Sequence, residues 1–154
     1  MFVEKTKMQK INIIGVSVRT SNNNGEAARD IPALWGRFRS EGISGLIPNK
    51  IDETIFCLYT DYEKDHNAPY TTILGCAVSS LDEIPNGMIG KTIEIANYQQ
   101  FTAKGNISEG IVFNEWVKIW NTDLDRAYTT DFEVYGTKSS NPENAEVDIF
   151  IALK

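Results

Sequence analysis

The sequence is poor in the residues that most metal proteins and many enzymes depend on. It holds one histidine and two cysteines in 154 residues. His66 stands in a polar loop, EKDHNAP, and no Cys or His pair has zinc spacing, so neither a resident metal nor a cofactor is expected. Cys57 and Cys76 fall inside apolar, strand-like runs, which reads as two free buried thiols in a reducing compartment. No G-x-S-x-G or Walker pattern occurs, so no catalytic or nucleotide-binding motif can be named. No apolar run nears the roughly 20 residues that span a bilayer, and the opening MFVEKTKMQK has no apolar signal core. The expectation is a cytoplasmic protein without membrane contact. Basic charge is sparse as well. Against 21 Asp and Glu stand 15 scattered Lys and Arg, giving a net charge of −6, which argues against direct nucleic-acid binding. The acidic balance favours cationic partners at long range.

What is present is a chain with 42% hydrophobic residues, long enough for one domain with its own core and short for two. Residues 1–10 read as a flexible leader. Ile11 to Thr20 alternates and is rich in Ile and Val, as a strand is. From about Glu26 to Gly42, Ile31, Leu34, Trp35 and Phe38 recur at helical spacing. Pro32 fits a first turn, so the regular helix is expected near Asp30; an earlier start would place the proline inside it. Ile55 to Tyr62 and Tyr70 to Ser80 then form a hairpin across EKDHNAP. A turn-rich connection follows over about 81–91. The second half repeats this order. Thr92 to Gly105 reads as one long strand, and Asn106 with Glu109 reads as a capping box opening a helix with Val112, Trp116, Ile119 and Trp120 on one stripe. A second hairpin closes the chain. The fold class is therefore α+β, with tandem β-α-β-β repeats (about 11–80 and 92–153, within a single domain 11–154). The repeats would be related by a pseudo-two-fold axis in an antiparallel sheet with two main helices and a central ligand cleft.

The closing hairpin, Thr130 to Leu153, carries the chemistry. Alternation sets Glu133 and Tyr135 on one face of the first strand and Phe132 and Val134 on the other. In the second strand Val147, Ile149, Ile151 and Leu153 share a face opposite Glu146, Asp148, Phe150 and Ala152. Putting the acids together gives a face with Glu133, Glu146 and Asp148 among Tyr135 and Phe150. Carboxylates beside ring faces suit an organic cation. The same pattern also fits a solvated surface.

The duplicated order, the motif FEVYG (Phe132 to Gly136) and the closing EVDIFIAL (Glu146 to Leu153) resemble the GyrI-like effector-binding domain, over about Ile11 to Leu153. That domain is the ligand-sensing half of multidrug-responsive activators of the AraC and MerR types. It also occurs as stand-alone proteins carried in integron gene cassettes, which this chain is most similar to. The resemblance implies that Glu133 contacts lipophilic cations, with Asp148 and Phe150 as further contacts; on physical grounds Asp148 or Glu146 would tune the field around that counter-ion. Tyr135, Tyr59, Trp35 and Trp116 are the expected walls, although both tryptophans also fit core positions and Tyr59 also fits hairpin packing. The sequence departs from the family at Ala152, where members commonly have proline.

The expected function is a binding module for small cationic amphipathic compounds, a stand-alone sensor or sequestering protein linked to transcriptional regulation or drug response. A separate transcription-factor partner and a homodimer belong to that reading. The dimer would cover a strand edge or the aliphatic face of the last hairpin. Two alternatives stay open: a small hydrolase using Glu133 and Tyr135, and a protein–protein inhibitor of the gyrase-inhibitor type.

Overall fold

A computed structural model describes the backbone of residues 4–154 and the side chains of residues 9–154. Eight strands form one sheet in the order β1-β6-β8-β7-β3-β4-β2-β5, and every neighbouring pair is antiparallel. The first half supplies β1 (Glu4–Met8), β2 (Ile11–Thr20), the helix α1 (Glu26–Ser40), a short α2 (Ile43–Leu46), β3 (Ile55–Thr60) and β4 (Tyr70–Val78). The second supplies β5 (Ile89–Ile93), β6 (Ala96–Gly105), α3 (Ile111–Trp120), β7 (Thr130–Tyr135) and β8 (Ala145–Leu153). Exchanging each strand with its counterpart (β1 with β5, β2 with β6, β3 with β7, β4 with β8) reproduces the same order read backwards. The pseudo-two-fold is thus written into the pairing, and its axis falls between the central strands β3 and β7.

Each repeat has one more strand than expected. Glu4–Met8 pairs antiparallel with β6, so this part of the expected leader is ordered as an edge strand; residues 1–3 lie outside the described part. The expected long strand from Thr92 is two strands, parted at Glu94 and Ile95, and β5 reaches back into the supposed connection to pair with β2. Each leading strand therefore joins the edge of the other half. Only Gln9–Lys10 links β1 to β2, and only Glu94–Ile95 links β5 to β6. A step of 3.8 Å per residue keeps the two ends of the sheet within ~11 Å of each other, so the sheet must curl until its ends meet. The inward face is consequently dry: Ile13, Leu58, Ile73, Ile93, Tyr98, Phe132 and Phe150 fill it. Gly15 faces Gly75 across β2 and β4, where a side chain on either would collide with the partner strand's backbone.

The helices take the outward face. α1 lies against β2 and β4, burying Leu34 and Phe38 among Val16, Leu74 and Cys76. α3 lies against β6, burying Trp116 and Ile119 with Phe101, Ile149 and Ile151. The aliphatic face of β8 is thereby covered inside the chain, which removes one of the two reasons given for a dimer. Pro32 sits within α1, not in its first turn, because the helix begins at Glu26. Asn106 caps a single 3-10 turn through Ser108 N, and α3 starts only after Gly110 at φ 74°, so Glu109 closes no capping box. Among the described residues no helix is long and apolar enough to cross a bilayer.

Candidate functional site

Helices on the outer strands leave the middle pair β3–β7 without a cover. Over that pair lies a hollow of about 1100 Å³, walled by α1 on one side and α3 on the other. Its lining is chiefly apolar and aromatic: Ile31, Trp35, Ile55, Tyr59, Tyr62, Tyr70, Val112, Phe113, Trp116, Trp120 and Tyr135.

Glu133 lies at the floor, on the axis strand β7 and opposite Cys57 of β3. It is 2% exposed, yet no lysine, arginine or histidine pairs with it among the described residues. Three neutral donors hold the carboxylate. Tyr59 Oη donates to Oε2 at 2.8 Å, Trp116 Nε1 to Oε2 at 2.7 Å, and Tyr135 Oη to Oε1 at 2.6 Å. Burial pushes the Glu133 carboxyl up from its ordinary value, with the hydrogen bonds from Tyr135, Trp116 and Tyr59 pulling against it. Burial and the neighbouring carboxylate push both phenols well up.

The rings are arranged crosswise. Trp35 of the first half meets Tyr135 of the second edge-on at 4.8 Å, and Trp116 of the second meets Tyr59 of the first edge-on at 5.2 Å. Both tryptophans therefore serve two purposes at once, closing the core on one flank and walling the hollow on the other. Arg39 lies over the Trp35 ring at 5.1 Å.

The structure brings Glu133, Tyr135, Tyr59, Trp35 and Trp116 into one hollow and leaves Asp148, Phe150 and Glu146 out of it. The β7–β8 register is the reason. Ile149 stands opposite Glu133, whereas Asp148 stands opposite Val134 and Phe150 opposite Phe132. The acidic face of β8 thus continues the inward face of β7, not the Glu133 face. Phe150 stacks on Phe132 at 5.0 Å in the closed interior. Asp148 accepts from Thr102 Oγ1 at 2.9 Å and from Lys138 Nζ at 2.6 Å. Burial raises its carboxyl, but those bonds and the Lys138 charge outweigh it, and the net shift is downward. Glu146 pairs with Lys104 at 3.1 Å in solvent.

Sequence reading missed the far end of the hollow. Tyr62, Tyr70, His66, Trp120 and Arg126 line it, and Asp131 anchors it. Asp131 is fully buried: Oδ2 accepts from Tyr62 Oη at 2.6 Å and Arg126 Nη2 at 2.8 Å, and Oδ1 accepts from Ala152 N at 2.8 Å. The Ala152 contact needs a backbone N–H, which a proline at that position would lack. The signal available beforehand was the odd-numbered run Asp131, Glu133, Tyr135 on one strand face.

Comparison with known proteins agrees with this architecture. A putative transcriptional regulator, YobU of Bacillus subtilis (strain 168), is 33% identical over 144 residues, spanning 91% of this chain and 90% of that protein. An integron cassette protein from the mobile metagenome of Vibrio cholerae superposes with a TM-score of 0.76 at 27% identity, over 99% of this chain and 95% of the other. SAV2435, solved with tetraphenylphosphonium bound, superposes with a TM-score of 0.81 at 16% identity, over 100% and 94% of the two chains; at that identity the likeness concerns the fold. The family of integron-associated effector binding proteins, Cass2, matches residues 6–153. With the doubled fold, the hollow on its axis and a match across nearly the whole sequence, this chain belongs to the integron-associated effector binding protein family.

Proposed function

We propose that this protein is a binding module for small lipophilic cations, with the ligand's charge seated against Glu133 and its apolar groups against the surrounding rings. The observation that carries this reading is a buried carboxylate without a counter-ion at the floor of an aromatic hollow. A buried carboxylate is costly unless paired, and a lipophilic cation supplies the missing charge without a hydration shell to strip. Ring contacts add about 0.5–2 kcal/mol each, depending on how dry they are. Flat ring surfaces and one charge impose loose shape demands, so breadth of ligand is expected. The bound state would serve a stand-alone sensor or a sequestering protein; the regulator-like name of the Bacillus subtilis relative favours the sensor.

Hydrolysis by Glu133 and Tyr135 is the second reading, favoured by their 2.6 Å hydrogen bond. The Tyr135 phenol, however, is shifted away from neutrality, the wrong direction for a general acid.

Tetraphenylphosphonium is a suitable probe. Titration of the wild type by tryptophan fluorescence should give saturable binding, and Glu133→Gln should weaken it at least tenfold. No binding to the wild type, or equal affinity in both proteins, overturns the proposal.

A further inference from the structure

The two ends of the hollow differ in charge. Trp35 and Trp116 hold equivalent places on α1 and α3, each set edge-on to the tyrosine of the other half. One turn further along each helix, four residues or ~6 Å on, α3 carries Trp120 and α1 carries Arg39, and both line the hollow. The Trp120 end is aromatic, with Trp120 stacked on His66 at 5.8 Å. The Arg39 end bears a cation. Its guanidinium lies over Trp35 at 5.1 Å, Trp35 meets Tyr135 at 4.8 Å, and Tyr135 Oη is 2.6 Å from Glu133. That charge is felt near the floor: burial and Glu133 push the Tyr135 phenol up, and Arg39 pulls against them.

Among the described residues Arg39 is also the one arginine without a carboxylate. Arg19, Arg29, Arg37 and Arg126 pair with Glu63, Asp30, Glu41 and Asp131. Arg39 is exposed and rests on the Trp35 ring. Of the residues lining the hollow, Glu133 is the sole acid. Asp131 is already taken by Arg126, and His66, pushed down by burial and by the Arg126 charge, is neutral at pH 7. The walls therefore offer one seat for positive charge and one standing positive charge at the rim. A ligand with a single cationic centre fills the seat. A second cationic centre finds no free carboxylate and, towards Arg39, meets a like charge that repels it.

We propose that the hollow selects monocations and rejects dications, with Arg39 as the residue that sets this limit. The inference rests on the cation site proposed above and specifies which cations that site takes. It runs against the long-range field, because a net charge of −6 by itself attracts a dication more strongly than a monocation. Charge at the rim, not on the whole surface, then decides.

A matched pair of probes tests this. (6,6-Dimethylheptyl)triphenylphosphonium and (5-trimethylammoniopentyl)triphenylphosphonium share a cationic head, a chain and a tail shape, and differ by one charge in the tail. Both are titrated at one pH, by tryptophan fluorescence, into the wild type, Arg39→Gln and Arg39→Glu. Arg37→Gln is the control, since it removes an equal charge from the same helix at a position outside the hollow. Circular dichroism melts check folding; Arg39 is exposed and makes no ion pair, so its variants should fold. The wild type should bind the neutral-tailed probe at least tenfold tighter than the dication. That ratio should fall at least threefold in Arg39→Gln, fall further in Arg39→Glu, and stay within twofold in Arg37→Gln. A wild-type ratio under tenfold, a fall short of threefold in both Arg39 variants, or an equal fall in Arg37→Gln overturns the role of Arg39 and leaves the cation site standing. Failure of the neutral-tailed probe on the wild type overturns the cation site, and this proposal falls with it.

Discussion

Tyr59 and Tyr135 grip the Glu133 carboxylate from the two halves of the chain, Tyr59 at Oε2 over 2.8 Å and Tyr135 at Oε1 over 2.6 Å. They occupy corresponding strands, β3 and β7, in the doubled fold. The anion is therefore held at the seam by both repeats. Each phenol donates to the ionised form and stabilises it. Tyr59→Phe and Tyr135→Phe should each weaken tetraphenylphosphonium binding about three- to tenfold near neutral pH while leaving the rings in place. Fluorescence titration of the two variants checks this. Unchanged affinity in both would mean that the phenol hydroxyls do not set the charge state of Glu133.

The second expectation concerns pH. In the folded protein the Glu133 carboxyl is raised by burial, so the folded state holds its proton more tightly than the unfolded chain does. Whatever stability this proton provides is fully present below the unfolded carboxyl value, about 4.3, and is lost as pH rises through the raised folded value. The unliganded wild type should therefore lose stability relative to Glu133→Gln across that window and then level off. Cation binding runs the opposite way, since it needs the ionised carboxylate. Affinity should climb with pH, by as much as tenfold per unit, and flatten above the folded value. Paired urea melts and titrations between pH 4 and 8 measure both; an affinity that is flat over the range contradicts the assignment.

Asp148 and Glu146 should be silent in binding. Asp148→Asn and Glu146→Gln are expected to keep tetraphenylphosphonium affinity within twofold. The costs in stability differ. The Glu146–Lys104 pair is solvated and contributes under about 1 kcal/mol, whereas Asp148 also accepts from Thr102 and is buried, so its loss should cost about 1–2 kcal/mol. Denaturation midpoints separate the two.

Ala152→Pro should destabilise this protein. It deletes the N–H that holds Asp131 Oδ1, leaving a buried carboxylate short of one donor at a cost of about 1–3 kcal/mol. The variant's urea midpoint should fall below that of the wild type, and adding Asp131→Asn should lower it further, because Arg126 then loses its buried counter-ion. A midpoint equal to wild type in the single variant would show that this contact is dispensable.

Much of this arrangement could be read from residue order. Alternation and helical spacing give the two repeats and both tryptophan-bearing helices, and Glu133 stands out as an acid among aromatics. The strand-to-strand register could not be read. Alternation within a strand says which residues share a face, but not which face of one strand joins which face of the next. A one-residue difference in pairing moved Asp148, Phe150 and Glu146 to the other side of the sheet. Glu4–Met8 was lost for a related reason: the strand is short and polar, and its partner β6 lies in the other half. Arg126 and Asp131 escaped because their meaning is tertiary, a buried ion pair formed by a loop residue and a strand residue five positions apart.

The exchanged leading strands have a consequence for how the molecule holds together. Cut between β4 and β5, the polypeptide would yield two pieces that each present a bare edge and carry, as a dangling arm, the strip that belongs to the other. Neither piece owns a complete scaffold, so order in one is conditional on the presence of its sibling. Loosening either arm should open the laced barrel as a whole and slacken the grip on whatever rests in the groove between its two halves.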